Sequence, residues 1–551
     1  MIRCILTAML AFLSIFPSAI SQNLKKADKV TLGNLQDEVR FLADDKLEGR
    51  RAGTAGEKLA SDYIISAFQK LNLQPMGEHG SWLQPFEINE GRQVDSTSHF
   101  IINSRELILE KEYFPLGFSA LKTAQGSPAM ALQEKDVPWF IDLKEQLESA
   151  QANPHFDLDE ALHARVRDCV KKGATAVIFY NSSKITDNIA FNPKDRSTAA
   201  EVPVLYVTKD GRRKYLRDES ASMEVKIAVS MSEKKRTGHN VIGFLNNGAP
   251  STVVLGAHYD HLGHGEDGNS LYHGPDRMIF NGADDNASGV AAMIELARLI
   301  KQAKLKKNNF LFIAFSGEEI GLFGSKYFTE HPTLILSTVN YMFNMDMVGR
   351  LNDSTHALTV GGYGTSPTWG SLFTRVDEKK YFLLKFDSSG TGPSDYTSFY
   401  RKDIPVLFFF TGLHADYHKP TDDYDKINYN GELQIVKYIE KLIEDLNDKG
   451  KLAFTRTRET QTGTTARFSV TLGIMPDYTY GGTGVRVDGV SEGRPAFNAG
   501  LKAGDVIVKL GDYQVSTLEN YMQALSKFKK GDRTTVEYKR GNNSGEAVIQ
   551  F

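Results

Sequence analysis

The chain has 551 residues, enough for about three domains on a prior of roughly 100–200 residues each, and enough to bury large cores. Lysine and arginine total 65 against 68 aspartates and glutamates, a formal net charge of −3. That balance offers no counter-charge to a phosphate backbone or an anionic membrane surface, which argues against nucleic acid as a partner.

Residues 1–21 read as a removable signal peptide. Arg3 supplies the positive charge, Ile5 to Phe16 is apolar apart from Thr7 and Ser14, and Ala19-Ile20-Ser21 offers small residues for cleavage. The apolar run is about half of the ~20 residues a spanning helix needs, and no later segment is long and apolar enough to span. The expected location is the periplasm or the medium of a bacterium. Cys4 leaves with the signal, so Cys169 stands alone and no intramolecular disulfide is possible. With Leu162, Val166 and Val170 around it at helical spacing, Cys169 reads as a small buried hydrophobe.

Leu35 to Leu71 carries helical periodicity broken by a loop at Leu47-Glu48-Gly49-Arg50-Arg51-Ala52-Gly53-Thr54. From about Gln84 to Thr237 the pattern is of short apolar strands such as Ala176 to Tyr180 and Val202 to Val207, with few residues of catalytic type. From Asn240 strands and helices alternate: Thr252 to Ala257, Ala287 to Ile300, Phe310 to Phe315, a strand ending near Met345, Val406 to Phe410, then a helix with Leu433, Val436, Ile439, Leu442, Ile443 and Leu446 on one face. This implies an α/β sheet covered by helices on both faces, with its site at the carboxyl ends of the strands. A polar linker over residues 448–466 leads to a separate unit over 467–551.

Five candidate metal ligands fall where these strands end. His258 and Asp260 follow the first strand and, two apart in extended chain, point to one side, so one can bind metal while the other orients its ring. Asp284 and Asp285 lie in the turn Gly282-Ala283-Asp284-Asp285-Asn286-Ala287-Ser288-Gly289 before a helix, where acidic residues also serve as caps. Glu318 and Glu319 close the next strand; adjacent carboxylates are costly to hold together without cations, and in extended chain they diverge, one to ligate and one to face a reactive water. Asp346 reads as an aspartate inside an apolar strand. His418 completes the set.

Two histidines and three carboxylates suit Zn²⁺, with Co²⁺ or Mn²⁺ able to substitute. The anionic oxygens are too many for one tetrahedral zinc. Two ions about 3.5–4 Å apart, sharing a carboxylate and a water, use every ligand and yield a nucleophile near neutral pH.

Ala257-His258-Tyr259-Asp260-His261, the Gly-Ala-Asp-Asp-Asn-Ala-Ser-Gly turn, Ser316-Gly317-Glu318-Glu319, Asn344-Met345-Asp346 and Tyr417-His418 resemble, in order and spacing, the motifs of the M28 zinc exopeptidases. The resemblance covers about Leu35 to Leu446. It implies a zinc-exopeptidase sheet assembled from residues 22–95 and 238–447, with residues 96–237 similar to an inserted, β-rich protease-associated domain. It further implies two Zn²⁺ per chain, with Asp285 bridging, His258 and Asp346 completing one ion, and Glu319 and His418 the other. Glu318 aligns with the general base that activates the metal-bridging water, and Tyr417 with a tyrosine that stabilises the tetrahedral intermediate.

His261, His264, His273 and His414 are expected on exposed loops or the pocket rim, and Asp284 and Asp422 to cap or orient. Ser394-Asp395-Tyr396 matches a family pattern near the substrate pocket, while Pro393 stands where some aminopeptidases of the family have an arginine. Asp284, Asp395, Asp416, Asp422 and Asp423 outnumber Arg350, Arg401 and Lys419, which favours holding a substrate ammonium and so removal of the N-terminal residue. The alternatives are a carboxypeptidase of the same fold, a non-catalytic peptide-binding receptor and a single-zinc cyclase of N-terminal glutamine.

Residues 467–551 resemble a bacterial protease PDZ domain, with Thr471-Leu472-Gly473-Ile474 as its carboxylate-binding loop and Ala499-Gly500-Leu501-Lys502-Ala503-Gly504-Asp505 as its helix-turn signature. That implies capture of a peptide C-terminus by strand addition, with Leu472, Gly473 and Ile474 at the contact.

Overall fold

The computed structural model describes residues 25–551 other than 153–155, 157, 194, 196, 219–221, 273, 376–380, 458–469, 477–482, 491–492, 517 and 542. The expected signal peptide lies outside the described residues. Helices α1 (Lys26–Leu42) and α2 (Ala55–Lys70) flank the glycine-bearing loop; α2 opens on Thr54, whose hydroxyl accepts from the Glu57 N–H. Strand β1 (Leu83–Val94) then pairs along its whole length with β2 (Met231–Leu245).

The remaining elements of the large sheet are β3 (Thr252–His258), α3 (Gly289–Ala303), β4 (Asn309–Phe315), α4 (Phe323–Glu330), β5 (Val339–Met345), β6 (Ala357–Gly361), β7 (Leu383–Phe386), α5 (Tyr396–Tyr400), β8 (Val406–Phe410) and α6 (Tyr429–Leu446). The spatial order is β2-β4-β3-β5-β8-β6-β7. Its centre, β4-β3-β5-β8, is parallel, and β2 and β6 join antiparallel. Alternation along the central strands sends side chains to two cores. Val253, Leu255, Phe310, Phe312, Tyr341, Phe343 and Phe409 pack with α1, α2, α3 and α6; Val254, Leu311, Phe315, Met342 and Phe408 pack with α4 and α5. Strands buried on both faces read as continuous apolar runs, as these do.

Between β1 and β2 the chain builds two four-stranded sheets with cores of their own, one around Phe100, Ile178 and Val225 and one around Trp139, Val166 and Phe179. Cys169 is fully buried in the second, inside the helix Leu158–Lys171. Where a linker was expected, the chain first stays attached: the Leu452 N–H donates to Asn340, and the Thr457 hydroxyl pairs with that of Tyr400. The C-terminal unit is a β-rich fold with its own core around Leu472, Val487, Ile507 and Val536. Among the described residues no helix is long and apolar enough to cross a membrane.

Candidate metal centre

The carboxyl ends of β3, β4, β5 and β8 converge, and the predicted ligands with them. His258 is the last residue of β3 and Asp346 lies one residue past β5 rather than inside it, its N–H donating to the Phe409 carbonyl. Asp285 sits in the turn before α3, where Asn286 pins the chain by accepting from the N–H groups of Gly289 and Met347 and donating to the Met345 carbonyl. Glu318 and Glu319 are not in extended chain as expected. A tight turn holds them, with the Gly321 and Leu322 N–H groups on the Glu318 carbonyl, and the turn rather than a pleat separates their side chains. His418 has φ +53, uncommon for a side-chain-bearing residue, and is fixed by the Leu271 N–H on its carbonyl and by the Asn269 carbonyl 2.8 Å from its Nδ1.

Two triangles of donors result, and they share Asp285. His258 Nε2 lies 3.3 Å from Asp285 Oδ1 and 3.3 Å from Asp346 Oδ1. His418 Nε2 lies 3.2 Å from Asp285 Oδ2 and 3.2 Å from Glu319 Oε2. Charge-assisted hydrogen bonds run at about 2.7–2.9 Å. Bonds of about 2.0–2.1 Å to a tetrahedral zinc instead separate its ligands by about 3.3 Å. The histidine–carboxylate separations are therefore those of neighbouring ligands on an ion, and these residue types suit zinc.

The charges agree. Burial works against ionisation of Asp285 and Glu319, yet His258 and His418 hold Asp285 well below the usual carboxylate range, and His418 draws Glu319 down to about 2. Burial likewise opposes charge on His258 and His418, but Asp346 and Glu319 respectively push them well above the ordinary imidazole value. Glu318 is pushed up, first by burial and then by Asp346 and Glu319. Asp260 is pushed up by burial to about 8.

Asp260 does not orient His258 through its carboxylate as expected. Its backbone carbonyl is the nearer partner of His258 Nδ1, at 3.1 Å against 3.8 Å, because β3 ends at His258 and the chain turns. The carboxylate instead accepts the Glu318 N–H at 3.2 Å. Ser394 donates to Asp346 Oδ2 at 2.7 Å and accepts from Asn344. Tyr417 stacks on the His418 ring, centroids 3.9 Å apart. Asp422 accepts the N–H groups of Asp284 and Asp285, and Asp284 accepts from Gly349 and Ser288, so both orient the turn.

Two expectations of exposure fail. His414 is largely covered and pairs with Asp284 at 3.1 Å. His261 is fully buried, with Nδ1 2.7 Å from Glu319 Oε1, because the chain folds inward after β3 instead of running out as a loop. His264 is half-buried beside the Met278 carbonyl, and His273 lies outside the described residues.

Arg50 was read only as part of the loop from Leu47 to Thr54. Fully buried, it donates to the carbonyls of Tyr259, Asn281, Gly282 and Leu42, binding the N-terminal loop to both sides of the donor set. Glu57 does the same from α2, accepting from the His239 N–H and the Ser316 hydroxyl at 2.6 Å. Neither was separable by residue type from a surface charge.

Residues 240–443 match the model of Peptidase family M28 and residues 457–550 that of the PDZ domain. Aminopeptidase YwaD of Bacillus subtilis is 26% identical over 432 residues, 73% of this chain and 84% of that protein. An aminopeptidase of Pseudomonas aeruginosa is 27% identical over 259 residues, 45% of each chain, so the match spans under half of that relative. Among solved structures, the aminopeptidase from Aneurinibacillus sp. strain AM-1 aligns over 78% of this chain and 96% of its own, at 23% identity and a TM-score of 0.43.

Proposed function

Residues 240–443 match the model of peptidase family M28, and from that match we propose a two-zinc aminopeptidase that removes the N-terminal residue of peptides. The observation that carries the reading is the pair of donor groups sharing Asp285, in each of which the histidine stands 3.2 or 3.3 Å from both carboxylates, as ligands of a tetrahedral zinc do. His258, Asp285 and Asp346 would hold one zinc ion and Asp285, Glu319 and His418 the other; bound there, the pair would supply Lewis acidity and water acidic enough to react near neutral pH.

Glu318, next to the donors but outside both triangles, takes the proton from water and returns it to the leaving amine as general base and then acid. Tyr417 presents its phenol toward the oxygen that gains charge in the tetrahedral intermediate. Asp260 fixes the Glu318 backbone, and Ser394 fixes the free oxygen of Asp346.

The terminal charge of the substrate follows from which nearby charges remain unspent. Arg350 is paired with Asp416 at 2.9 Å, Lys419 and Lys326 each donate to a backbone carbonyl, and Arg401 is exposed to solvent. Asp284 and Asp422 are internal and spent on the turn. The buried carboxyls of Glu318, Asp260 and Asp395 remain; burial raises all three toward their proton-bearing form, and groups so costly to ionise gain from an ammonium placed beside them and lose from a carboxylate. Residues 96–237 act as a protease-associated domain inserted between 22–95 and 238–447, and the PDZ domain binds peptide C-termini through Leu472, Gly473 and Ile474. An exported protein with this equipment trims peptides in the periplasm or outside the cell.

A free peptide incubated beside its N-acetylated and C-amidated copies, with products followed by mass spectrometry, tests the direction of attack. Acetylation should abolish cleavage and amidation leave it intact; the reverse makes the enzyme a carboxypeptidase.

A further inference from the structure

His261 follows the first metal-ligand motif by one residue, and nothing in the mechanism above uses it. Its ring is fully buried and held on three sides. The backbone N–H donates to the Arg50 carbonyl at 3.3 Å, the ring meets that of His418 edge-on with centroids 5.8 Å apart, and Gly282 lies against its face. A Cβ at Gly282 would come 2.5 Å from the ring, and Gly282 also has φ +56, so glycine there makes room for this imidazole.

Together with Asp285 and Glu319, His261 forms a group of three donors compact enough for a metal. The distances separate it from the ligands. His418 stands 3.2 Å from both carboxylates, as two ligands of one ion do, whereas His261 Nδ1 stands 2.7 Å from Glu319 Oε1 and 4.0 Å from Asp285 Oδ2. The first spacing is a direct hydrogen bond, too short for the edge of a zinc tetrahedron of about 3.3 Å. A carboxylate only accepts, so Nδ1 carries the hydrogen. Among the described residues Nε2 has no hydrogen-bond partner.

We propose that His261 is a positioning residue for the second metal ion: its Nδ1–H occupies Glu319 Oε1 and leaves Oε2 alone to face His418 and Asp285. Glu319 is thereby held to one-oxygen ligation. Asn269 supports the same pose, its amide donating to the Glu319 carbonyl at 3.0 Å while its own carbonyl sets His418. The first ion has separate supports, the Asp260 carbonyl on His258 and Ser394 on Asp346. Loss of His261 therefore weakens one ion and spares the other, as outer partners of metal ligands do at a typical cost of about 10–100-fold in affinity. The inference rests on the two-metal reading.

The test is equilibrium dialysis of the full-length protein and its variants against graded chelator, with bound zinc counted by mass spectrometry and folding checked by circular dichroism. Asparagine places an amide N–H where Nδ1 stands, and glutamine reaches the Nε2 position instead. His261→Gln should keep the first ion at wild-type affinity and bind the second about 10–100-fold more weakly, while His261→Asn should stay within about threefold for both. Unchanged affinity in His261→Gln makes the imidazole mere packing. Loss of the second ion in both variants makes it a ligand itself. Either result overturns positioning, and a wild-type plateau at one ion removes the two-metal reading and this inference with it.

Discussion

The carboxyl edge of the large sheet and the unit inserted between β1 and β2 treat charge in opposite ways. In the inserted unit the pairs Arg167–Glu160, Arg213–Asp210 and Lys172–Asp168 are exposed, and the buried Glu112 is satisfied by the Ile108 N–H, Lys214 and Tyr215. At the sheet edge His258, Asp260, His261, Asp285 and Asp395 are buried; among the described residues Asp260 Oδ2 has no hydrogen-bond partner and the Asp395 carboxyl has at most the Ser325 hydroxyl. A buried charge without its full complement of partners is costly. A fold keeps such a cluster where a ligand supplies the missing interactions, whereas satisfied or solvated charges answer only to structure.

The sharpest break in that contrast is at the shared ligand. Asp285→Ala removes an oxygen from both triangles, so both ions should be lost in metal analysis along with peptide hydrolysis, a fall of at least about 10⁴-fold that added zinc does not restore. An Asp285→Ala protein that kept two ions would mean the triangles are ion pairs and nothing more. Glu318→Gln divides the cluster differently, since Glu318 lies outside both triangles. Two ions should remain while turnover falls about 10²–10⁴-fold. Loss of zinc from this variant would reverse the roles within the glutamate pair.

Acidity sharpens the comparison without any substitution. In metal-free protein His258, His418, Glu318 and Asp260 all bind protons more tightly than in the unfolded chain, Asp260 up to about 8. A group raised in the fold contributes stability that is complete below its unfolded value and is lost as pH rises through the folded one. The loss from Asp260 spans about 4 to 8, and that from the imidazoles begins near 6.5. Asp285 and Glu319 are depressed and matter only under strongly acidic conditions. Chelated protein should therefore lose on the order of 1–3 kcal/mol, a few degrees of Tm, between pH 6 and about 9. Zinc-loaded protein, with ions in place of those protons, should not. Parallel melting curves across pH, with and without chelator, read this directly, and equal slopes would show that the cluster does not trade protons for metal.

Much of this centre was legible because its chemistry sits at strand ends and strands announce themselves. Val406 to Phe410 was placed to the residue, and Phe310 to Phe315 within one, since apolar runs between turn residues leave little freedom. Errors arose where local geometry changes over one or two residues. Treating residues 258–260 as extended misdirected the Asp260 carboxylate, and treating His261 as loop exposed a side chain that the fold buries. Arg50 and Glu57 were illegible for another reason. Their partners lie on segments far along the chain, 209 residues away for Arg50 and Tyr259, and no spacing rule reaches that far.

The smallest predicted effect lies in the PDZ domain, where the contrast can be tested on one satisfied carboxylate. Asp505 is as buried as Asp395, yet its oxygens accept from Arg540 at 2.6 and 2.7 Å and from the Lys502 N–H at 2.8 Å. Burial acts to raise its pKa, but Arg540 and that N–H hold it below the usual carboxylate value. The pair's contribution is thus complete above about 4 and disappears as pH falls through the lower folded value. Arg540 is 44% exposed, so solvent screens the pair and the Lys502 N–H survives its loss. Arg540→Leu should lower the PDZ transition slightly in calorimetry of the full chain at pH 7, and by less at pH 3. Hydrolysis of a small chromogenic substrate should not change, because none of the proposed metal ligands lies in this domain. A loss of hydrolysis equal to that in the Glu318→Gln enzyme would mean that a satisfied, structural charge carries function after all, and the contrast between the two kinds of buried carboxylate would fail.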